Sequence, residues 1–92
     1  MNTDHKISPV VRLRGLHMAS VKGPHGSHHH ILVNPTHESV VRAQAWHTSE
    51  QVCTIEVIDR SGTWTRSTRE YATKVVYDNG CLIITTQPFV GD

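Results

Sequence analysis

The sequence predicts an α+β domain: a single antiparallel β-sheet of four to six strands with one α-helix packed on one face, in ββαβββ order. Three observations predict it. Apolar and polar residues alternate toward both ends of the chain, as in Val11-Arg12-Leu13-Arg14 and Cys53-Thr54-Ile55-Glu56-Val57, which is the period of a half-buried strand. One segment between them, residues 35–49, departs from that period and opens on helix-start residues. Glycine-bearing reversals, GPHGS, DRSGT and YDNGC, separate the extended segments. At 92 residues the chain has room for one modest core, so residues 1–92 are read as a single small domain.

The first extended segment covers residues 7–21. Its apolar parity changes after Gly15, where Leu16 and Met18 take over from Val11 and Leu13, and a bulge at Arg14 and Gly15 would absorb the slip. KGPHGS is built for chain reversal, with Gly23 and Gly26 permissive and Pro24 preset. HHHILV then resumes as a strand, so the first two strands are expected to form a hairpin. Asn34 as cap, Pro35 in the first turn and Glu38 near the positive end of the dipole predict a helix over 35–49. Its inward stripe is Thr36, Val40, Ala43 and His47 with Trp46 beside it; the competing stripe is His37, Val41 and Ala45. From Val52 the period returns to two. DRSGT supplies a hairpin loop, residues 69–74 read as a bend or loop, and Asn79-Gly80 suits a type I′ turn joining VVY to CLIITT. The tail QPFVGD is expected to be loosely held.

Composition narrows the function classes. Apolar residues make up 37% and charged residues 18%, which separates the chain from disordered segments and from coiled coils. Nine Lys and Arg against eight Asp and Glu argue against a basic nucleic-acid arm and against an acidic mimic. Eight histidines make the charge pH-sensitive. Cys53 and Cys81 are read as buried thiols in a reducing cytoplasm, with a disulfide as the alternative if their strands are neighbours. The N-terminal residues have no apolar core of a signal peptide, and no apolar run approaches a membrane span.

The most conspicuous motif is KGPHGSHHHILVNP. In a strand His28 and His30 share a face while His29 points the other way, and His25 lies in the preceding turn. These three imidazoles, His25, His28 and His30, are a candidate partial site for Zn, Ni or Cu, lacking a local carboxylate or thiolate as fourth ligand. The bland reading is a turn and strand rich in imidazole. Catalytic motifs fail on spacing. HESVV places Val41 where the helical zinc-protease signature needs its second histidine, and Asn34 and His37 sit too early in the helix for a strand-strand-helix metal nuclease. No enzyme is expected.

A second constellation is basic and aromatic. Arg60, Trp64, Arg66, Arg69, Tyr71 and Lys74 fall within fifteen residues, and on adjacent strands they would line a partner-binding surface. The alternative is a core Trp64 and a solvated set of arginines. Glu56, Asp59 and Glu70 interleave with these bases, which weakens direct nucleic-acid binding.

A short N-terminal hairpin, the alanine-bearing helix SVVRAQAW and a meander opening CTIEVIDRSGTW resemble, in layout, small phage anti-CRISPR proteins that inhibit type I surveillance complexes. The resemblance spans residues 11–64. It implies a phage-encoded, cytoplasmic, non-enzymatic inhibitor, monomer or homodimer, that occupies a surface on a host CRISPR surveillance complex. The expected function is therefore a protein-binding module working through the second half of the sheet. A histidine-centred metal- or pH-responsive binding protein and a small nucleic-acid-binding module are the alternatives.

Overall fold

The computed structural model describes residues 9–90. It is α+β with one helix and a mixed, curled sheet. The strands are β1 (Val10–Arg14), β2 (Leu16–Lys22), β3 (His28–Val33), β4 (Cys53–Asp59), β5 (Gly62–Asp78) and β6 (Cys81–Pro88), with helix α1 (His37–Ser49) between β3 and β4. Across the sheet the order is β1-β4-β5-β6-β3-β2. Every pairing is antiparallel except one: β1 lies parallel to β4, Val11 opposite Ile55 and Leu13 opposite Val57.

That parallel pair corrects the expectation of a purely antiparallel sheet, and its cause is Gly15. The bulge expected there is a full break in the ladder. The chain leaves β1 at one end of the strand order and enters β2 at the other, pairing Leu16 with Val33. The sheet must curl for one continuous stretch to serve both margins, and the Gly15 N–H reaches the Ile58 carbonyl at 3.3 Å. Glycine is required here by close approach: an added Cβ would lie 2.9 Å from the Pro35 Cα. Sequence period reports which residues share a face, and it carries no information on strand direction. Beyond Gly15 the hairpin of β2 and β3 forms as expected, closed by a 3₁₀ turn at Pro24–Gly26. A further register shift falls at Met18.

The helix starts later than expected. Thr36 caps it by accepting from the Ser39 N–H at 3.2 Å, while Asn34 takes a left-handed φ of 52° and donates its N–H to the Gly80 carbonyl at 2.7 Å. The buried positions are Ser39, Val40, Ala43 and Trp46, so the first stripe holds at Val40 and Ala43. It ends on Trp46, and His47 is exposed. The competing stripe faces solvent. Residues 69–74 are strand within the long β5 and not a loop, and Gln87 and Pro88 of the expected loose tail belong to β6. The Asn79-Gly80 turn has the paired positive φ values of a type I′ hairpin.

The core lies on the concave face. Leu13, Leu32, Ile55, Val57, Leu82 and Ile84 are fully buried and cluster with Ala43, Trp46, Cys53 and Ala72. Each of the large aliphatic side chains contributes about 1.5–3 kcal/mol on burial. Helix α1 rests on β1 and β5 from this side, and the Trp46 indole N–H is satisfied by the Gln51 carbonyl at 2.7 Å. Cys53 and Cys81 are free thiols on strands separated by β5, and burial pushes the Cys53 thiol up. Among the described residues no helix is long and apolar enough to cross a membrane.

Candidate functional site: a polar interior and an uncovered outer face

Away from the helix the concave face turns polar. Glu70 of β5 is fully buried, as are His30 of β3 and Thr86 of β6. The Arg66 guanidinium donates Nε–H to Glu70 Oε2. The Thr86 hydroxyl donates to Glu70 Oε1 at 2.7 Å, and His30 Nε2 stands 3.2 Å from the same oxygen. Ionised, that oxygen only accepts, so His30 Nε2 carries the proton. In the neutral ring Nδ1 then accepts from the Ser20 hydroxyl at 2.9 Å, and Ser20 Oγ accepts from His17 Nε2 at 3.0 Å. Donors thus point inward, ring by ring, to one carboxylate. Burial alone would raise that carboxyl. Hydrogen bonds from His30, Thr86 and Arg66, with the Arg66 charge, hold it at about 2 against an ordinary 4.5.

Burial disfavours the charged form of both flanking histidines. Arg66 Nη2 lies 3.2 Å from His28 Nδ1, and because a guanidinium only donates, that nitrogen must be unprotonated. Burial and then the Arg66 charge lower the His28 pKa. Burial and then the nearby His30 lower that of His17. Trp64 packs between rings, its centroid 4.5 Å from His17 and 5.7 Å from His30.

Ser20, His30 and Glu70 have the composition of a nucleophile relay. Ser20 Oγ, however, is engaged on both sides by imidazoles. The arrangement is chemically a saturated network. The imidazoles expected from sequence as metal ligands lie in and beside this network. His28 and His30 do share a face, their rings nearly parallel at 6.0 Å, but both His30 nitrogens and His28 Nδ1 are occupied by neighbours, and His25 is exposed on the turn. Among the described residues no three His, Cys, Asp or Glu side chains converge as a metal-binding group.

The six basic and aromatic residues expected to share one surface are distributed. Trp64 and Arg66 face the interior. Arg69 lies over the Phe89 ring, 5.2 Å from its centroid, and Tyr71 lines a cleft with Phe89 and His47. Arg60 projects from the turn after β4, and Lys74 lies on the outer face. Register breaks in β5 opposite Cys53–Ile55 and at Ala72–Lys74 undo the simple alternation that would have kept them together. Sequence reading missed His17, Ser20, Glu70 and Thr86, because they meet across the neighbouring strands β2, β3, β6 and β5, an order that no local pattern gives.

The outer face of β2, β3, β6 and β5 is the converse. Cross-strand register lays its side chains in three rows: Leu16-Val33-Cys81-Asp78, Ala19-Ile31-Ile83-Val76 and Val21-His29-Thr85-Lys74. The His29 Nδ1 contact to Thr85 Oγ1 at 3.1 Å confirms the third row as one surface. Aliphatic side chains fill most of the first two rows. Leu16 is 51% exposed, Met18 at the β2 irregularity 57%, Val21 49% and Val76 39%. With strands about 4.8 Å apart and same-face residues about 6.8 Å apart, these two rows cover about 260 Å² of contiguous, mainly aliphatic surface. The helix packs on the opposite side, so no element of the described chain covers it.

Comparison with protein families, with curated proteins and with solved structures finds no match.

Proposed function

We propose that this chain is a small non-enzymatic protein-binding module that docks through the outer face of β2, β3, β6 and β5. The observation that carries this reading is the unbroken aliphatic patch around Leu16, Met18, Val21, Ile31, Ile83 and Val76, left open by a fold whose helix α1 lies on the other side. The saturated interior supports it from the opposite direction, since the polar groups that would do chemistry are consumed by one another. The partner implied by the resemblance to anti-CRISPR inhibitors is a nuclease complex, and occupation of its surface is the specific form of this proposal.

The test uses Met18→Glu combined with Val76→Glu, two exposed positions whose substitution leaves the core intact. Captures from a host lysate with the wild type and the variant are compared by mass spectrometry, with thermal midpoints measured on the same material. The proposal expects the variant to lose the captured protein while its midpoint moves by less than about 3 °C. An unchanged capture would remove the outer face as the docking surface.

A further inference from the structure

The apolar face does not end at its first row. Where the chain breaks at Gly15, it runs into a groove of about 600 Å³ lined by Arg14, Leu16, Val33, Ile58, Asp59 and Arg60, with Gly15 and Asn34 completing the wall. Leu16, Val33 and Ile58 are its aliphatic part. Arg14 and Arg60 are both exposed, and the ion pairs among the described residues engage Arg12, Arg42 and Arg66 but neither of these two. Asp59 is the one carboxylate of the lining. Its Oδ1 accepts from the Ser61 N–H at 2.7 Å and the Ser61 hydroxyl at 2.6 Å, and its Oδ2 faces the His17 N–H at 3.3 Å. Those hydrogen bonds keep Asp59 ionised, its pKa lowered chiefly by Ser61, and direct it into its own turn.

Both arginines leave backbone that is pinned. The Arg14 N–H donates to Ser39 Oγ at 2.7 Å and its carbonyl accepts from the Thr36 N–H at 3.0 Å, while Arg60 lies inside the Asp59–Ser61 turn. A guanidinium recognises a carboxylate in a bidentate fork.

We propose that this groove is where the partner of the outer face is recognised, and that it receives an acidic, aliphatic segment of a protein: side-chain carboxylates on Arg14 and Arg60, neighbouring apolar side chains on Leu16, Val33 and Ile58. The inference rests on the protein-binding reading and adds the chemistry of the partner. A nucleic acid fits less well. Its bases need aromatic platforms, and the lining has none.

The probe is a fluorescein-labelled peptide of alternating Leu and Glu, with Leu/Lys and Ser/Glu peptides as controls, titrated into the full chain and followed by anisotropy. The Leu/Glu peptide is expected to bind at least about tenfold more tightly than either control, and Arg14→Glu and Arg60→Glu are each expected to weaken it about tenfold. Leu16→Ser should weaken it without changing its salt dependence, whereas the arginine variants should flatten that dependence. Equal binding of the Leu/Lys peptide, or an unchanged affinity in Arg60→Glu, would overturn the proposal. So would displacement of the peptide by a single-stranded oligonucleotide at lower concentration. If no peptide binds while Met18→Glu with Val76→Glu still abolishes partner capture, the groove inference fails and the outer face stands. If that double variant captures as the wild type does, the failure is of the docking face itself.

Discussion

Ile83 and Ile84 are neighbours on β6 and belong to two different economies. Ile84 is fully buried among Leu32, Leu82 and Trp46 on the concave side, while Ile83 is only partly covered on the outer side. The contrast extends to the polar residues. Inside, Glu70, His30, Thr86, Ser20 and Arg66 satisfy one another; outside, Val76, Met18 and Leu16 face solvent. A surface that is complete contributes stability and has nothing left to offer a partner, whereas an incomplete one costs little to alter and is free to bind. Substitutions on the two faces of the same strands should therefore separate stability from recognition.

The largest effect is expected at the centre of the polar interior. Glu70→Gln leaves the Arg66 guanidinium without its counter-charge and His30 with a weaker acceptor, at a cost of about 3 kcal/mol in urea unfolding, the low end for a broken buried pair because Arg66 reaches solvent. A loss under about 1 kcal/mol would mean that the network is not what holds these strands together. Next come the paired isoleucines. Ile84→Ala should cost about 3 kcal/mol through lost burial and a residual cavity, and Ile83→Ala about 1 kcal/mol. Equal losses would erase the distinction between the faces.

Acid should act on the interior. His17 and His28 are held below the ordinary 6.5, both by burial first, then by His30 and by Arg66 respectively. The unfolded chain then takes up protons at a higher pH than the fold, so their contribution is fully present above about pH 6.5 and is lost as pH falls below it. Glu70 acts in the same direction but lower. Its contribution is intact above the ordinary 4.5 and disappears only as pH falls toward about 2. Thermal midpoints should be level from about pH 8 to pH 7 and decline through pH 6 to pH 5; a flat profile would show that protonated His17 and His28 are accommodated. The smallest effect is expected outside, where Met18→Ser should move stability by no more than about 0.5 kcal/mol.

Much of this fold was legible along the chain. Val11 and Leu13, Cys53 to Val57 and Asn79-Gly80 each carry a local signal, and each forms the expected element. His28 and His30 were placed together on one face, correctly, by strand period alone. What period could not convey was direction and curvature. The parallel pairing of β1 with β4 follows from the break at Gly15, whose necessity comes from Pro35, twenty residues away. The breaks in β5 scatter Trp64, Arg66, Arg69, Tyr71 and Lys74 to different surroundings, so their closeness in sequence overstated their closeness on a surface. Glu70 was read only as an interleaved charge because its partners lie on β3, β5 and β6, and no local pattern joins them.

Met18 offers the most direct test of the central claim, because its exposed thioether oxidises readily and reports its own accessibility. Hydroxyl-radical labelling of the protein alone and in complex with its captured partner, quantified at Met18, should show at least about a tenfold drop in the oxidation rate on binding, with Glu70→Gln protein that remains folded protected to the same degree. An oxidation rate at Met18 that is the same bound and free would contradict docking through the outer face.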